Sequence, residues 1–138
     1  MHRFRLHITP ILSDMRARLQ TVCPTVYIGN RPMASKTENK EFLVLNTPYS
    51  FRDKGAFQNS YFRVGIYVKT KAQDVSNIKR LEELANGILD LCPITANKRY
   101  IARKPQLTLQ GNDTMGFTVW YLQGSLLVNT LDSYGNND

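Results

Sequence analysis

The run YFRVGIYVKTKAQDVSNIKRLEELANGILDLC, residues 61–92, decides the fold because its apolar period changes halfway along. In the first part Phe62, Val64, Ile66 and Val68 share one parity, and Tyr61, Arg63, Tyr67 and Lys69 share the other. Alternation of period two predicts a strand over Tyr61 to Thr70, with one face in a core and the other toward water or a partner. From Val75 to Leu91 the period lengthens: Ile78, Leu81, Ala85, Ile88 and Leu89 recur at three- and four-residue steps, the signature of an amphipathic helix. Asp74 is placed to cap it, and Lys79, Arg80, Glu82, Glu83 and Asp90 fall on its outer side. Gly87 weakens it by roughly 1 kcal/mol relative to Ala, and Cys92-Pro93 ends it.

Working toward the N-terminus, Ile11, Leu12, Met15, Leu19 and Val22 stand at helical spacing behind Thr9-Pro10, which predicts a first helix near 10–22. The arm before it, residues 1–8, alternates basic and apolar side chains and fits a strand, an extension or an earlier helical turn. Thr25 to Ile28 reads as short and extended, and Ala34 to Lys40 as a polar loop. Phe42 to Leu45 reads as a buried strand. Asn46 to Ser60 is broken by Pro48 and Gly55 and reads as a long loop, with Tyr49, Phe51, Arg52, Lys54 and Phe57 giving it an adhesive composition.

Beyond the second helix, a strand near Tyr100 to Leu109 contains Pro105, which requires an edge position or a bulge. Gly111-Asn112-Asp113 makes a turn. In the last strand, Gly116 to Thr130, Phe117, Val119 and Tyr121 hold one parity while Trp120, Leu122, Leu126 and Val128 hold the other, so both faces are apolar. Residues 132–138 form a polar tail. The expected architecture is a single α+β domain: a small antiparallel or mixed sheet of about five strands packed with two helices, in the order α-β-β-β-α-β-β.

Composition agrees with a globular chain: 138 residues, 42% hydrophobic and 21% charged, with no apolar run long enough for a membrane helix. No secretory h-region stands at the start, and Cys23 and Cys92 lack metal or redox spacing, so both read as free thiols of an intracellular protein. The formal charge of +7 is spread along the chain, a pattern that suits solubility or an acidic neighbour better than a phosphate-reading stripe.

Chemistry has little to stand on. His2 and His7 are the only histidines, Glu82-Glu83 reads as a solvated helix pair, and no Cys-x-x-Cys, phosphate-binding glycine loop or nucleophile elbow occurs. No enzyme, metal or cofactor is expected. Two binding readings remain. Alternating Tyr61, Arg63, Tyr67 and Lys69 form a sheet face able to stack bases and neutralise phosphates, or else ordinary outward strand positions. The doubly apolar last strand, with Phe117, Val119 and Tyr121 on the parity away from Trp120, requires either a sheet curled on itself or a neighbouring copy that covers one face.

The order of elements resembles that of the tail-terminator and tail-completion proteins of tailed bacteriophages. The likeness rests on the opening helix (Ile11, Leu12, Met15, Leu19), Val26-Tyr27-Ile28-Gly29 followed by Pro32, and the strand Phe42-Leu43-Val44-Leu45. It continues in the strand Phe62 to Val68 leading to the helix of Leu81, Leu84, Ala85 and Ile88, and in the closing Phe117-Thr118-Val119-Trp120-Tyr121. The resemblance implies a non-catalytic homo-oligomeric ring, a hexamer or dodecamer, in the virion neck or tail. Its partners would be portal, connector or tail-tube proteins, with nonspecific contact to DNA in the lumen and no membrane. The contact residues would then be drawn from Tyr49, Phe51, Arg52, Lys54, Phe57, Tyr61, Arg63, Tyr67, Lys69, Phe117, Val119 and Tyr121.

Overall fold

The computed structural model describes residues 8–29, 41–47, 52–53, 57–70, 77–96, 99–112 and 116–129. Two helices, α1 (Thr9–Leu19) and α2 (Ile78–Leu91), pack on a sheet built from β1 (Val26–Ile28), β2 (Glu41–Asn46), β3 (Arg52–Asp53), β4 (Phe57–Lys69), β5 (Ile94–Ala96), β6 (Tyr100–Asn112) and β7 (Phe117–Asn129). The sheet order is β1-β2-β4-β7-β6-β5, with β3 added to β4. Only β1 and β2 run parallel, so the sheet is mixed. The α+β class with two helices agrees with the sequence expectation, but among the described residues the strands number seven rather than about five. The added ones are β3 and β5, of two and three residues, too short to show a period.

Parity sorts the long strands as expected. Phe62, Val64, Ile66 and Val68 of β4 and Trp120, Leu122, Leu126 and Val128 of β7 enter one core with Leu43 and Leu45 of β2. Both helices close that core, α1 through Ile11, Met15 and Leu19, and α2 through Leu81, Leu84, Ala85 and Ile88. Leu81, Ala85 and Ile88 are buried as expected and Leu84 joins them, whereas Ile78 and Leu89, expected inside, are exposed. Helix α2 starts at Ile78 with Asn77 as its N-cap and no side-chain cap bond, whereas the expected cap Asp74 lies outside the described residues. Helix α1 likewise starts on Thr9 after Ile8, and ends three residues before Val22. Gly87 has a packing reason: a Cβ there would meet Val22 Cγ1 at 2.9 Å, where α2 crosses the chain leaving α1.

Two polar ties fix the helices to the sheet. The Arg80 guanidinium donates to both carboxylate oxygens of Glu41 on β2, at 2.7 and 2.5 Å, and reaches Glu83 at 3.4 Å. This fork geometry is the strong form of an ion pair, but it is partly solvated. Glu41→Gln is therefore expected to cost about 1 kcal/mol in urea unfolding, less in high salt.

The second tie joins α1 to β6, where the buried Tyr100 hydroxyl donates to Asp14 Oδ2 at 2.5 Å, beside Arg18 Nε on the same oxygen at 2.9 Å. Burial first, and then the carboxylate acceptor, push the Tyr100 phenol well above its usual range. The folded state thus holds a proton that the unfolded chain releases near pH 10. The stability this contributes is complete below about pH 10 and is lost as pH rises above it. Unfolding midpoints are expected to fall as pH rises above about 10, and Tyr100→Phe is expected to flatten that fall.

Candidate functional site

The site is built on the sheet face that carries no helix. There Phe42 and Val44 of β2, Tyr67 of β4, and Phe117 and Val119 of β7 form a second buried cluster, with Tyr27 and Tyr121 packed against it. Cross-strand register creates it, since Phe42 pairs with Tyr67 and Tyr67 with Val119, on the parity opposite the main core. Phe42 and Tyr67 stack at 4.7 Å between ring centroids, and Phe117 meets Phe42 edge-on at 5.2 Å. The doubly apolar last strand is thus explained by two cores, one on each side of the sheet.

The expected interface residues separate accordingly. Tyr67 is 9% exposed and Phe117 and Val119 less, so these three lie inside the domain and Tyr67 has little ring surface left to stack on a base. Lys69 pairs in register with Phe117 and lines a hollow of about 560 Å³ between β4 and α2, together with Lys79, Arg80 and Glu83. Tyr49, Phe51 and Lys54 lie outside the described residues. Arg52 and Phe57, expected in a loop, have strand backbone instead: Arg52 pairs with Asn59, and Phe57 with Asn129.

Tyr61, Arg63 and Tyr121 remain together on the same face, beyond the aromatic cluster. Tyr61 is 45% exposed. The Arg63 guanidinium carbon lies 5.1 Å from the Tyr121 ring centroid, and its Nε donates to Gln123 Oε1 at 3.0 Å. Cation–ring attraction and the amide acceptor hold the side chain in one orientation, which lowers the ordering cost of any contact it makes. Gln106, Thr108 and Gln110 of β6 complete a polar hollow of about 500 Å³ around Arg63, Tyr121 and Gln123. One row further, Arg103 stands opposite Ser125, which stands opposite Tyr61.

A feature that the sequence reading counted only as strand adjoins this hollow. β6 pairs with β5 only at Tyr100, Ile101 and Ala102, so from Arg103 onward its outer side has no partner strand among the described residues. Pro105 sits in a register shift between Arg103 and Gln106, beside Lys104 with φ of 56°. Bulge and edge, offered by the sequence as alternatives, occur together. Past the bulge, Gln106 to Gly111 is exposed on both faces, with Leu107 at 41% and Leu109 at 63%. The available signal was the uncharged alternation that follows Pro105.

Among the described residues no three His, Cys, Asp or Glu side chains come close enough to hold a metal ion, and no helix is long and apolar enough to cross a membrane. Burial pushes both the Cys23 and the Cys92 thiols up, away from the thiolate form that reacts. A scan against protein-family models finds no match to this chain, and a search of curated proteins finds none either.

Proposed function

We propose that this chain is a non-catalytic structural subunit that assembles into a homo-oligomeric ring, a hexamer or dodecamer, at the neck or tail end of a tailed-phage particle. The observation that carries this reading is the open, uncharged strand from Gln106 to Gly111, exposed on both faces and lacking an outer partner strand among the described residues. Such an edge offers main-chain donors and acceptors with exposed leucines beside them, and isolated domains normally blunt one with charge, Pro or a cover. The Tyr61, Arg63 and Arg103 face supplies a second surface on the same domain. Two distinct surfaces allow closure within a ring and contact along its axis. The element order that resembles tail-terminator proteins supplies the particle. A basic lumen would touch DNA through phosphates alone, and the buried Tyr67 weighs against base stacking on this face.

The test is the mass of the purified chain by light scattering through a dilution series. Hexamers or dodecamers are expected. A monomer at every concentration, which also fails to add to purified portals, connectors or tails, would overturn the reading. Tyr61→Ala is expected to change monomer stability by about 1 kcal/mol, since close to half of its surface is exposed, while shifting the assembly to lower mass.

A further inference from the structure

The segment Gln106-Leu107-Thr108-Leu109-Gln110 reads the same in both directions about Thr108. It is also the stretch of β6 that is exposed and lacks an outer partner strand among the described residues. We infer that this edge binds the same edge of a second copy, antiparallel, across a twofold axis at Thr108. The inference rests on the assembly reading above and names the partner of one of its surfaces.

Self-complementarity is what a twofold contact demands, because each residue of the patch must suit its symmetry mate. In this register Thr108 faces Thr108 of the second copy and each Leu107 faces a Leu109, with each Gln106 set near the Gln110 that stands in the second register shift of β6. Directly opposed residues of an antiparallel pair share a face. The four leucines therefore meet on the side of Trp120 and Leu122, with which Leu109 and Leu107 pair inside each copy. The four glutamines meet on the side of Arg63 and Tyr121, where Gln106 and Gln110 already line the polar hollow.

Charge selects the direction and the partner. No charged residue stands between Pro105 and Asn112, so pairing buries none. Arg103 and Lys104 lie just before this stretch, in a chain with +7 net charge. A parallel pair would set these cations side by side. The antiparallel pair carries the two Lys104 backbones roughly 27 Å apart, eight residues at about 3.4 Å each, well beyond the screening length of about 8 Å at physiological salt. The shift at Lys104 and Pro105 turns the basic end out of the ladder, and a second shift between Leu109 and Gly111 places Gln110 in a bulge, so regular pairing is confined to Leu107-Thr108-Leu109 around the axis. In a ring assembly this twofold joins two rings face to face, which yields the dodecamer from hexamers; ring closure itself uses the other surface.

The register can be read by crosslinking of the full chain. Opposed Cα atoms of an antiparallel pair are about 4.5–5.5 Å apart, inside the range a disulfide spans. Thr108→Cys is thus expected to give a disulfide-linked dimer when oxidised glutathione accepts the electrons. Gln106→Cys, whose symmetry mate lies about 14 Å along the strand, is expected to give none beyond the wild-type background of Cys23 and Cys92. Leu109→Lys changes an exposed side chain, and because symmetry removes two opposed leucine pairs at once it is expected to weaken the twofold association on the order of tenfold. Thr108→Cys that crosslinks no faster than Gln106→Cys overturns the inference, as does an assembly whose mass is unchanged by Leu109→Lys. Rings that survive both results leave the ring reading standing and place the contact elsewhere. Dimers that crosslink at Thr108→Cys but never enlarge establish the twofold and end the ring reading.

Discussion

Gly124→Val is expected to unfold this domain partly or wholly, with a loss of about 3 kcal/mol or more and a fall in melting temperature of roughly 10 °C. Gly124 of β7 stands opposite Phe62 of β4, on the face of the main core. A Cβ there would lie 2.5 Å from the Arg103 carbonyl oxygen and 2.7 Å from Phe62 Cε1. The ring can give way in principle, but it is fully buried among the core side chains. The carbonyl belongs to the backbone at the start of the β6 bulge, so it moves only if the bulge moves. The partner substitution Phe62→Leu is expected to return only part of the stability, since the carbonyl contact stays; full recovery in a double-mutant cycle would show that the ring alone set the cost. Thermal unfolding followed by circular dichroism reads both.

Phe42→Ala is expected to cost about 3–5 kcal/mol, as large as a deletion beneath the helices. The sequence offers Tyr67, Phe117 and Val119 of this face either to a neighbouring copy or to a sheet curled on itself, and in the first case trimming the face would lower assembly and spare the monomer. The structure puts Phe42 at the centre of a buried aromatic group, stacked on Tyr67 and edge-on to Phe117 and Tyr27. Its removal opens a cavity within the domain. The contrast with Tyr61→Ala on the same face, where much less stability is expected to be lost, separates core from surface. Equal and small effects at both positions would return the whole face to the interface.

The long strands were legible because both of their faces are written in side-chain parity, as in Phe62 to Val68 and Phe117 to Val128. The start of β4 was not. Gln58, Asn59 and Ser60 carry no strand preference, yet they pair with Val128, Leu127 and Leu126, so a partner far along the chain imposes the conformation. Ile94-Thr95-Ala96 is silent in the sequence for a simpler reason: three residues cannot show a period, and only pairing with Tyr100 to Ala102 makes them a strand. On the site, the sequence gives Tyr61, Arg63 and Tyr67 one parity of β4 and Phe117, Val119 and Tyr121 one parity of β7, but only the β4–β7 register puts them on one face, and only packing divides Tyr61, Arg63 and Tyr121 from the rest. That division depends on how far Phe42 reaches across the sheet. The β6 edge was visible only as a Pro in a strand, since whether a strand has a neighbour is a property of topology.

The central claim is that this domain acts as one copy among several. Electron microscopy of the purified chain tests it most directly. Closed rings are expected, single or paired face to face, with the β6 edges at the twofold between rings. Isolated monomers, or open fibres that never close, would contradict it.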